Sequence, residues 1–360
     1  MGLFQQAVEN SENEEDNSLN LGLEGRLFMA TFEAAPRYST DEALARLRQV
    51  VHPKAANFYA MYSSVLGGII TDPALMVLPL DDHMVHRGHA VFDTAILAHG
   101  MLYQLDQHLE RLVRSAAMAR IPLPFPPEKL RRIIMETAAA SGRRDGSVRY
   151  WLSSGPGGFA LAPTECVGSS FYVVVFAGEN YPDSFYTDGV KVVTSTVPIK
   201  PPFFARVKST NYLPNVLVVL EAKDRGADHG IFIDARGMVA ESSHMNVAFV
   251  TRDRVFRHPS FDAILSGITV QRILHLAGRL VEQGELRDIR VADVPIAEAR
   301  AAAEMMLTGS SIKVAPVVQW DGQPIGDGKP GPITKKLLEM WHEDVRSASD
   351  QLIPVPYPEA

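Results

Sequence analysis

Short runs of branched and aromatic residues recur along this chain, and helical stretches fall between them at irregular intervals. That irregularity constrains the fold more than any other feature. Strict strand–helix alternation builds a doubly wound parallel sheet, whereas strands and helices mixed without it build an α+β architecture. Strand patterns occupy 58–62, 67–71, 90–97, 101–103, 147–153, 169–176, 190–197, 230–234, 246–251, 289–293, 305–308 and 314–319. Helical patterns occupy 42–51, with Thr40 or Asp41 as N-cap, and 106–120, 128–140, 213–225, 269–283 and 332–345. The fold class expected is therefore α+β.

A chain of 360 residues has room for about two domains. Residues 177–189 are polar, rich in turn formers and without periodicity, which marks a boundary. The expected organisation is an N-terminal arm and short helix over 1–54, a smaller α/β domain over 55–180, a linker over 181–189 and a larger domain over 190–360. Glu9, Glu12, Glu14, Glu15 and Asp16 crowd the first 25 residues, which read as a disordered arm. The net charge of −7 argues against nucleic acid as a partner. Cys166 is the single cysteine, so no internal disulfide forms and a reducing compartment is expected. No run reaches the roughly 18 apolar residues of a membrane span. The acidic N-terminus resembles neither a secretory signal nor a transit peptide, which suggests the cytoplasm, or a plastid were a transit peptide to precede this chain.

The most chemically suggestive stretch runs from Lys208 through Ser209-Thr210-Asn211-Tyr212, a helix and a short apolar strand to a turn carrying Glu241, with Asn246 beyond. A desolvated lysine spends time as the free amine that Schiff-base chemistry needs. A carboxylate facing a pyridine nitrogen keeps that nitrogen protonated, so the ring acts as an electron sink. Lysine, acid and a later phosphate-sized loop together suit pyridoxal 5′-phosphate, although each is also an ordinary surface residue type. Leu265-Ser266-Gly267-Ile268-Thr269 opens the helix over 269–283, and a helix N-terminus is an anion site; the plainer reading is an N-cap by Ser266. Thr308-Gly309-Ser310-Ser311 offers small donors, or simply a hairpin turn. Arg111 is able to clamp a phosphate bidentately, or to sit on the surface like Arg114 and Arg120. Gly155-Pro156-Gly157-Gly158-Phe159-Ala160 matches a dinucleotide-binding pattern, but no helix opens after it. His83, His86 and His89 recur at intervals of three in an expected loop, without metal-ligand spacing.

With Asp81-Asp82-His83-Met84-Val85-His86-Arg87-Gly88-His89, Val91-Phe92-Asp93-Thr94, the run from Leu105 to Leu112, Lys208 to Tyr212, Glu241 with Asn246, and Gly267-Ile268-Thr269, the chain resembles the class IV (fold-type IV) pyridoxal-phosphate aminotransferases. Within that group it looks most like the plant-type D-amino acid aminotransferases. The resemblance covers about residues 55 to 345. It implies two α/β domains with the cofactor at their junction, a homodimer, and amino acid and 2-oxo acid substrates. Lys208 matches the lysine that holds the cofactor and shuttles the proton, Tyr212 the tyrosine at its phenolic oxygen, and Glu241 the acid at its ring nitrogen. Arg111, Gly267, Ile268, Thr269 and Ser310 match phosphate-cup positions, and Arg149, Phe92 and Ser311 substrate-binding positions. The chain departs from the pattern at Ala248, where an aromatic residue is usual, and at Val270, where a basic residue is usual and Arg272 follows. It departs again at Ser154, where bacterial D-enzymes carry arginine. Aminodeoxychorismate lyase and L-branched-chain aminotransferase are the alternative activities within the group.

Overall fold

The computed structural model of the protein describes residues 35–348 and 350–358. The acidic arm lies outside the described residues. By its contacts the chain divides after Ala55. In the first unit, helix α1 (Thr40–Gln49) is capped one residue earlier than the sequence suggests. Ser39 accepts the Glu42 N–H at 3.4 Å, and Glu42 accepts the Ser39 N–H at 2.8 Å, a reciprocal box that Thr40 or Asp41 could not close.

The second unit opens with β1 (Phe58–Ser63), β2 (Gly68–Ile70), α2 (His83–Arg87), β3 (Ala90–Ala98) and β4 (Met101–Tyr103). There follow α3 (Leu105–Met118), α4 (Pro127–Ala140), β5 (Gly146–Ser153) and β6 (Ser170–Phe176). With the C-terminal strand Leu352–Pro354 these strands form an antiparallel seven-stranded sheet, in the order C-terminal strand, β4, β3, β5, β6, β1, β2. His99 and Gly100 both take positive φ (51° and 79°), as a two-residue turn matched to strand twist requires. The histidine segment expected as a loop is partly helical. Asp82 accepts the Met84 N–H at 2.9 Å and starts α2, which carries His83 and His86.

β3 and β5 pair from Ala90↔Ser153 to Leu97↔Gly146. Since side chains alternate between faces, Val91, Ala95, Val148, Tyr150 and Leu152 point one way, into a core with Leu105, Leu109 and Leu112 of α3 and Leu130 and Ile134 of α4. Each such leucine, fully buried, stabilises by about 1.5–3 kcal/mol. Phe92, Thr94, Ser147 and Arg149 are left facing the other way.

After α5 (Ser184–Thr187), which lies in the expected boundary segment, come β7 (Val190–Thr194), α6 (Pro202–Ala205), α7 (Leu213–Asp224), β8 (His229–Ile233), β9 (Val239–Ser242), β10 (Asn246–Val250) and β11 (Val255–His258). α8 (Ile268–Glu282), β12 (Asp288–Val291), α9 (Ile296–Arg300), β13 (Glu304–Gly309), β14 (Lys313–Trp320), β15 (Gln323–Pro324) and α10 (Pro332–Ser347) follow. The strands form a nine-stranded mixed sheet, ordered β12-β11-β10-β13-β14-β7-β8-β9 with β15 on β14. β10 is buried on both faces. Val247 and Phe249 pack in one core with Leu307 and Trp320. Ala248 packs in another with Ile273 and Ala277 of α8 and Leu337 and Trp341 of α10. The missing aromatic residue at 248 thus lies on a helix-covered face, and Phe249 fills the opposite one.

Two expectations change here. Glu241 is not in a turn: Val239 and Ala240 are buried and draw it into β9, paired with β8. The turn comes after it, closed by the Ser242 N–H on the Met245 carbonyl at 2.8 Å. The strand expected to Val197 stops at Thr194, beyond which Glu221 accepts the Ser195 hydroxyl and the Thr196 N–H and turns the chain away. No helix among the described residues is long and apolar enough to cross a membrane.

Candidate active site

The exposed-side alternation of the first sheet builds one wall of a cavity of about 290 Å³, lined by Phe92, Thr94, Ser147, Arg149 and Phe176. Register explains the set: Thr94 lies opposite Arg149, and Ser147 opposite Phe176. The Arg149 Nε–H donates to Thr94 Oγ1 at 2.9 Å, and its guanidinium lies over the rings of Phe92 and Phe176 at 5.5 and 5.4 Å. This volume is at the small end of ligand sites, which run about 300–1,000 Å³.

Lys208 enters the same cavity from the second half of the chain. Its segment is bound to β3 like an extra strand. The Phe92 N–H donates to the Lys208 carbonyl at 2.9 Å and the Thr210 N–H to the Ala90 carbonyl at 3.0 Å. The Lys208 N–H donates to Ser115 Oγ of α3 at 3.3 Å. The amine therefore projects from a fixed backbone. Its Nζ donates to the Tyr212 hydroxyl at 3.4 Å and stands 4.6 Å from the Phe92 ring centre. Burial, with Arg111 and Arg149 adding repulsion against the pull of Asp93 and Glu241, pushes this amine down to about 7. A sizeable fraction is thus free base at neutral pH, as a nucleophile or general base requires. Burial raises the Tyr212 phenol, so it stays protonated beside the amine.

Arg111 is not a surface residue. It is buried on α3, and its Nε and Nη2 donate to the two oxygens of Asp93 at 2.8 Å each. His108 lies 2.7 Å from the same carboxylate. Burial would raise Asp93, but Arg111 and His108 overcome it and hold the carboxyl far below the usual range. Asp93 points to the helix side of the sheet, which is why it meets α3. The remaining arm of Arg111, Nη1, donates to the Ser266 carbonyl at 3.0 Å. One guanidinium thereby ties the first sheet to the start of α8.

That start is an anion cradle. The first helical hydrogen bond of α8 runs from the Gln271 N–H to the Gly267 carbonyl, so the N–H groups of Ile268, Thr269 and Val270 precede it. Gly267, not Ser266, is the N-cap residue, and it makes no side-chain cap. Ser266 Oγ instead accepts from Gln271 Nε2 at 3.0 Å. A Cβ at Gly267 would lie 2.0 Å from Asn246 Oδ1, so any other residue there would displace the Asn246 side chain. Asn246 Nδ2 in turn donates to the Leu265 carbonyl at 2.9 Å. Thr308 lies opposite Asn246 in the β10–β13 register and so shares its face. Its buried Oγ1 has no hydrogen-bond partner among the described residues. Ser310 and Ser311, just beyond, line the cavity. Arg272, the basic residue displaced from the usual position, is occupied elsewhere, with Asp344 at 2.6 Å.

Glu241 stands in a narrow adjoining crevice that shares Tyr212, Asn215 and His244 with the main cavity. It is 7% exposed and accepts one long hydrogen bond, from the Leu265 N–H at 3.3 Å. Burial pushes its carboxyl up to about 7, against the pull of Lys200, that N–H and Lys208.

Of the expected residues, the cavity brings together Phe92, Arg111, Arg149, Lys208, Tyr212, Ser310 and Ser311. Glu241 belongs to the crevice. Gly267, Ile268 and Thr269 line neither, and are tied in through Arg111 and Asn246. Missed in the sequence were Glu179, Asn215, His244, Lys200 and the role of Asp93, while Thr308, expected among the small donors of its turn, lies at the end of β13. Asn215 Oδ1 is another buried atom without a partner among the described residues. Its spacing of seven residues from Lys208, in the first turn of a helix, was the one clue available.

The donor set fits pyridoxal 5′-phosphate. The orphan hydroxyl of Thr308, the free first turn of α8 and the Gly267 cradle suit a phosphate. A depressed amine and an under-bonded carboxylate lie in adjoining spaces, as the two ends of the pyridine ring require.

A family model for amino-transferase class IV matches residues 90–320. The chain is 54% identical over 302 residues, 83% of its length and 80% of the relative's, to the chloroplastic D-amino-acid transaminase of Arabidopsis thaliana. It is 28% identical to the D-alanine aminotransferase of Bacillus licheniformis, over 80% of this chain and 99% of that one. A branched-chain amino acid aminotransferase from T.th., solved with pyridoxamine 5′-phosphate, superposes with a TM-score of 0.76 at 25% identity, covering 83% of this chain and 99% of that one.

Proposed function

Because the chain belongs to the class IV aminotransferase family, we propose that it moves the amino group of a D-amino acid such as D-alanine to a 2-oxo acid such as 2-oxoglutarate or pyruvate. The cofactor of the family is pyridoxal 5′-phosphate, which when bound supplies an aldehyde that captures amines and a ring that accepts the electrons of a Cα–H bond. Lys208 is the residue that would hold it covalently, and its Nζ, once free, would take the proton from the substrate Cα and deliver it to the cofactor carbon that carries the amino group. Tyr212 keeps Nζ in place. Glu241 holds a proton at the far end of the ring. Ile268, Thr269 and Ser310, with the Gly267 backbone, bind the phosphate, and Arg111, held in place by Asp93 and Ser266, adds its positive charge beside them, so the reacting atoms stay oriented. Arg149 receives the substrate carboxylate, aided by Ser311, and Phe92 packs on the reacting face. Phe176, Val216 and Val219 line the cavity and exclude water from the amine.

The observation that carries the substrate assignment is the 54% identity to the Arabidopsis D-amino-acid transaminase. A half-reaction panel tests it: D-alanine, L-alanine and L-leucine are each mixed with the loaded enzyme, and loss of the cofactor's visible band is timed. D-alanine reacts fastest. Faster reaction with L-leucine would transfer the assignment to an L-branched-chain aminotransferase, the reading favoured by Arg149 in the cavity wall. Pyruvate released from aminodeoxychorismate with no 2-oxo acid present would mark a lyase.

The working form is a homodimer. Leu213, Val216, Leu217 and Leu220 are 69%, 50%, 43% and 50% exposed and form one apolar stripe along α7, at i, i+3, i+4 and i+7. Such a stripe at the cavity's edge suits a second copy of the chain. Light scattering gives twice the chain mass, and Leu217→Glu reduces it. The Arabidopsis relative is named chloroplastic, so a plastid is the alternative to the cytoplasm as the compartment.

A further inference from the structure

Lys200 lies in the loop between β7 and α6 and lines the crevice that holds Glu241. Its Nζ stands over the ring of Tyr212, 4.9 Å from the centre, so that ring has an ammonium on its face while its hydroxyl meets Lys208. The groups facing Glu241 in the crevice are Lys200, Tyr212, Asn215, His244 and the Leu265 N–H, with Lys208 beyond Tyr212. His244 is itself occupied: Ser243 Oγ is 2.9 Å from Nδ1 and the Tyr181 hydroxyl 3.1 Å from Nε2. On its other side Lys200 borders a groove with Asp234, Arg236, Asp262 and Asp293. Those acids are taken. Arg236 pairs with Asp234 at 2.8 Å and Asp293 at 2.7 Å, and Asp262 accepts the Ser260 hydroxyl at 2.6 Å. Glu241, held only by the Leu265 N–H, is left beside Lys200 without a side-chain partner among the described residues, and burial sets it against ionising.

We propose that Lys200 is a positioning residue for the ring-nitrogen site: its ammonium draws the buried Glu241 carboxylate into the ionised form that receives the cofactor's protonated ring. The inference rests on the reading of Glu241 given above. Of the two lysines, Lys208 is committed to the cofactor, so Lys200 is the one left to supply a positive charge to Glu241. A carboxylate deprived of that charge ionises at a higher pH. Cofactor binding then fades at a higher pH as the medium is acidified, because the protonated acid no longer attracts a protonated ring.

The test is equilibrium dialysis of pyridoxal 5′-phosphate against the full-length, cofactor-stripped chain from pH 5.5 to 8.5. In Lys200→Met the pH at which affinity is half lost moves up by about one unit, a roughly tenfold weaker Kd on the acid limb. Lys200→Arg restores the wild-type profile. Glu241→Gln weakens binding and leaves only the acid limb set by the Lys208 amine. If Glu241→Gln behaves like wild type, the Glu241 reading fails. If it behaves as stated but Lys200→Met loses affinity equally at every pH, or not at all, Lys200 has no electrostatic role and the proposal is overturned.

Discussion

Asp93 and Glu241 are both buried carboxylates on strands that flank Lys208, and the chain treats them in opposite ways. Asp93 is gripped by two arms of Arg111 and by His108, all within 2.8 Å. Glu241 has one backbone N–H at 3.3 Å. The first is held far below its usual range and the second pushed up, although both are removed from water. A carboxylate completed by its own chain is an anchor. One left incomplete in a crevice is a binding surface whose remaining partner comes from outside. The same contrast separates Arg111, committed to Asp93 and Ser266, from the free first turn of α8 and the orphan hydroxyl of Thr308.

The largest effect comes from the amine between these two carboxylates. Lys208→Ala abolishes both covalent attachment of the cofactor and turnover, a fall of at least about 10⁴-fold given the double loss of nucleophile and proton carrier. Borohydride reduction of the loaded wild type followed by peptide mapping places the adduct on Lys208; an adduct on any other lysine breaks the assignment. Next in size is Asp93→Asn, which leaves the buried Arg111 without its counter-charge and costs about 3–5 kcal/mol in urea unfolding. Its pH dependence has a definite sign. The folded-state value is depressed, so the stabilisation is full above the ordinary carboxylate value near 3.9. It is lost as pH falls toward the folded value, and Asp93→Asn therefore flattens the acid limb of the stability curve. An unchanged acid limb would mean that Asp93 is no anchor.

The sequence is most legible where a period of two or 3.6 governs. Phe92 and Arg149 lie on one wall because strands alternate, and α3 buries Leu109 and Leu112 as its spacing foretells. Chemistry at chain-local spacing is legible too: Lys208 and Tyr212, four residues apart, do meet. What depends on register between distant strands is not. Thr308 gains its significance from lying opposite Asn246, which no local pattern reveals. Glu241 reads as a turn residue because four buried residues of β9 are too few to show alternation. Lys200 sits in a proline-rich loop, and its proximity to Glu241 exists only after β8 and β9 pair. Ser266 satisfies every local rule for a cap and is displaced by the tertiary demand at Gly267.

Glu241→Gln sharpens the contrast from the other side. It lowers turnover by about 10²-fold, the scale of removing one electrostatic partner from a water-excluded site. In the cofactor-free chain the stability effect is opposite to that of Asp93→Asn. Glu241 has a raised folded value, about 7 against an ordinary 4.5. The folded state therefore holds its proton more tightly, and the wild type loses stability as pH rises through that window. The glutamine chain does not, so its melting temperature, equal to that of wild type near pH 4.5, exceeds it at pH 8. A wild-type chain that is the more stable at pH 8 would make Glu241 a second anchor and end the comparison.

Thr308→Val asks the smallest question of the same kind. An unpaired buried hydroxyl costs stability, and replacing it with a methyl of the same shape removes that cost without opening a cavity. The cofactor-free chain gains up to about 1 kcal/mol, read as a higher urea midpoint at unchanged slope. The loaded enzyme moves the other way if the hydroxyl belongs to the phosphate cradle with Gly267 and the first turn of α8, and dialysis then gives a several-fold weaker Kd for pyridoxal 5′-phosphate. Only a group kept unsatisfied for a ligand gives both results at once. A destabilised chain means that Thr308 has a partner within the protein, and an unchanged Kd removes it from the cradle.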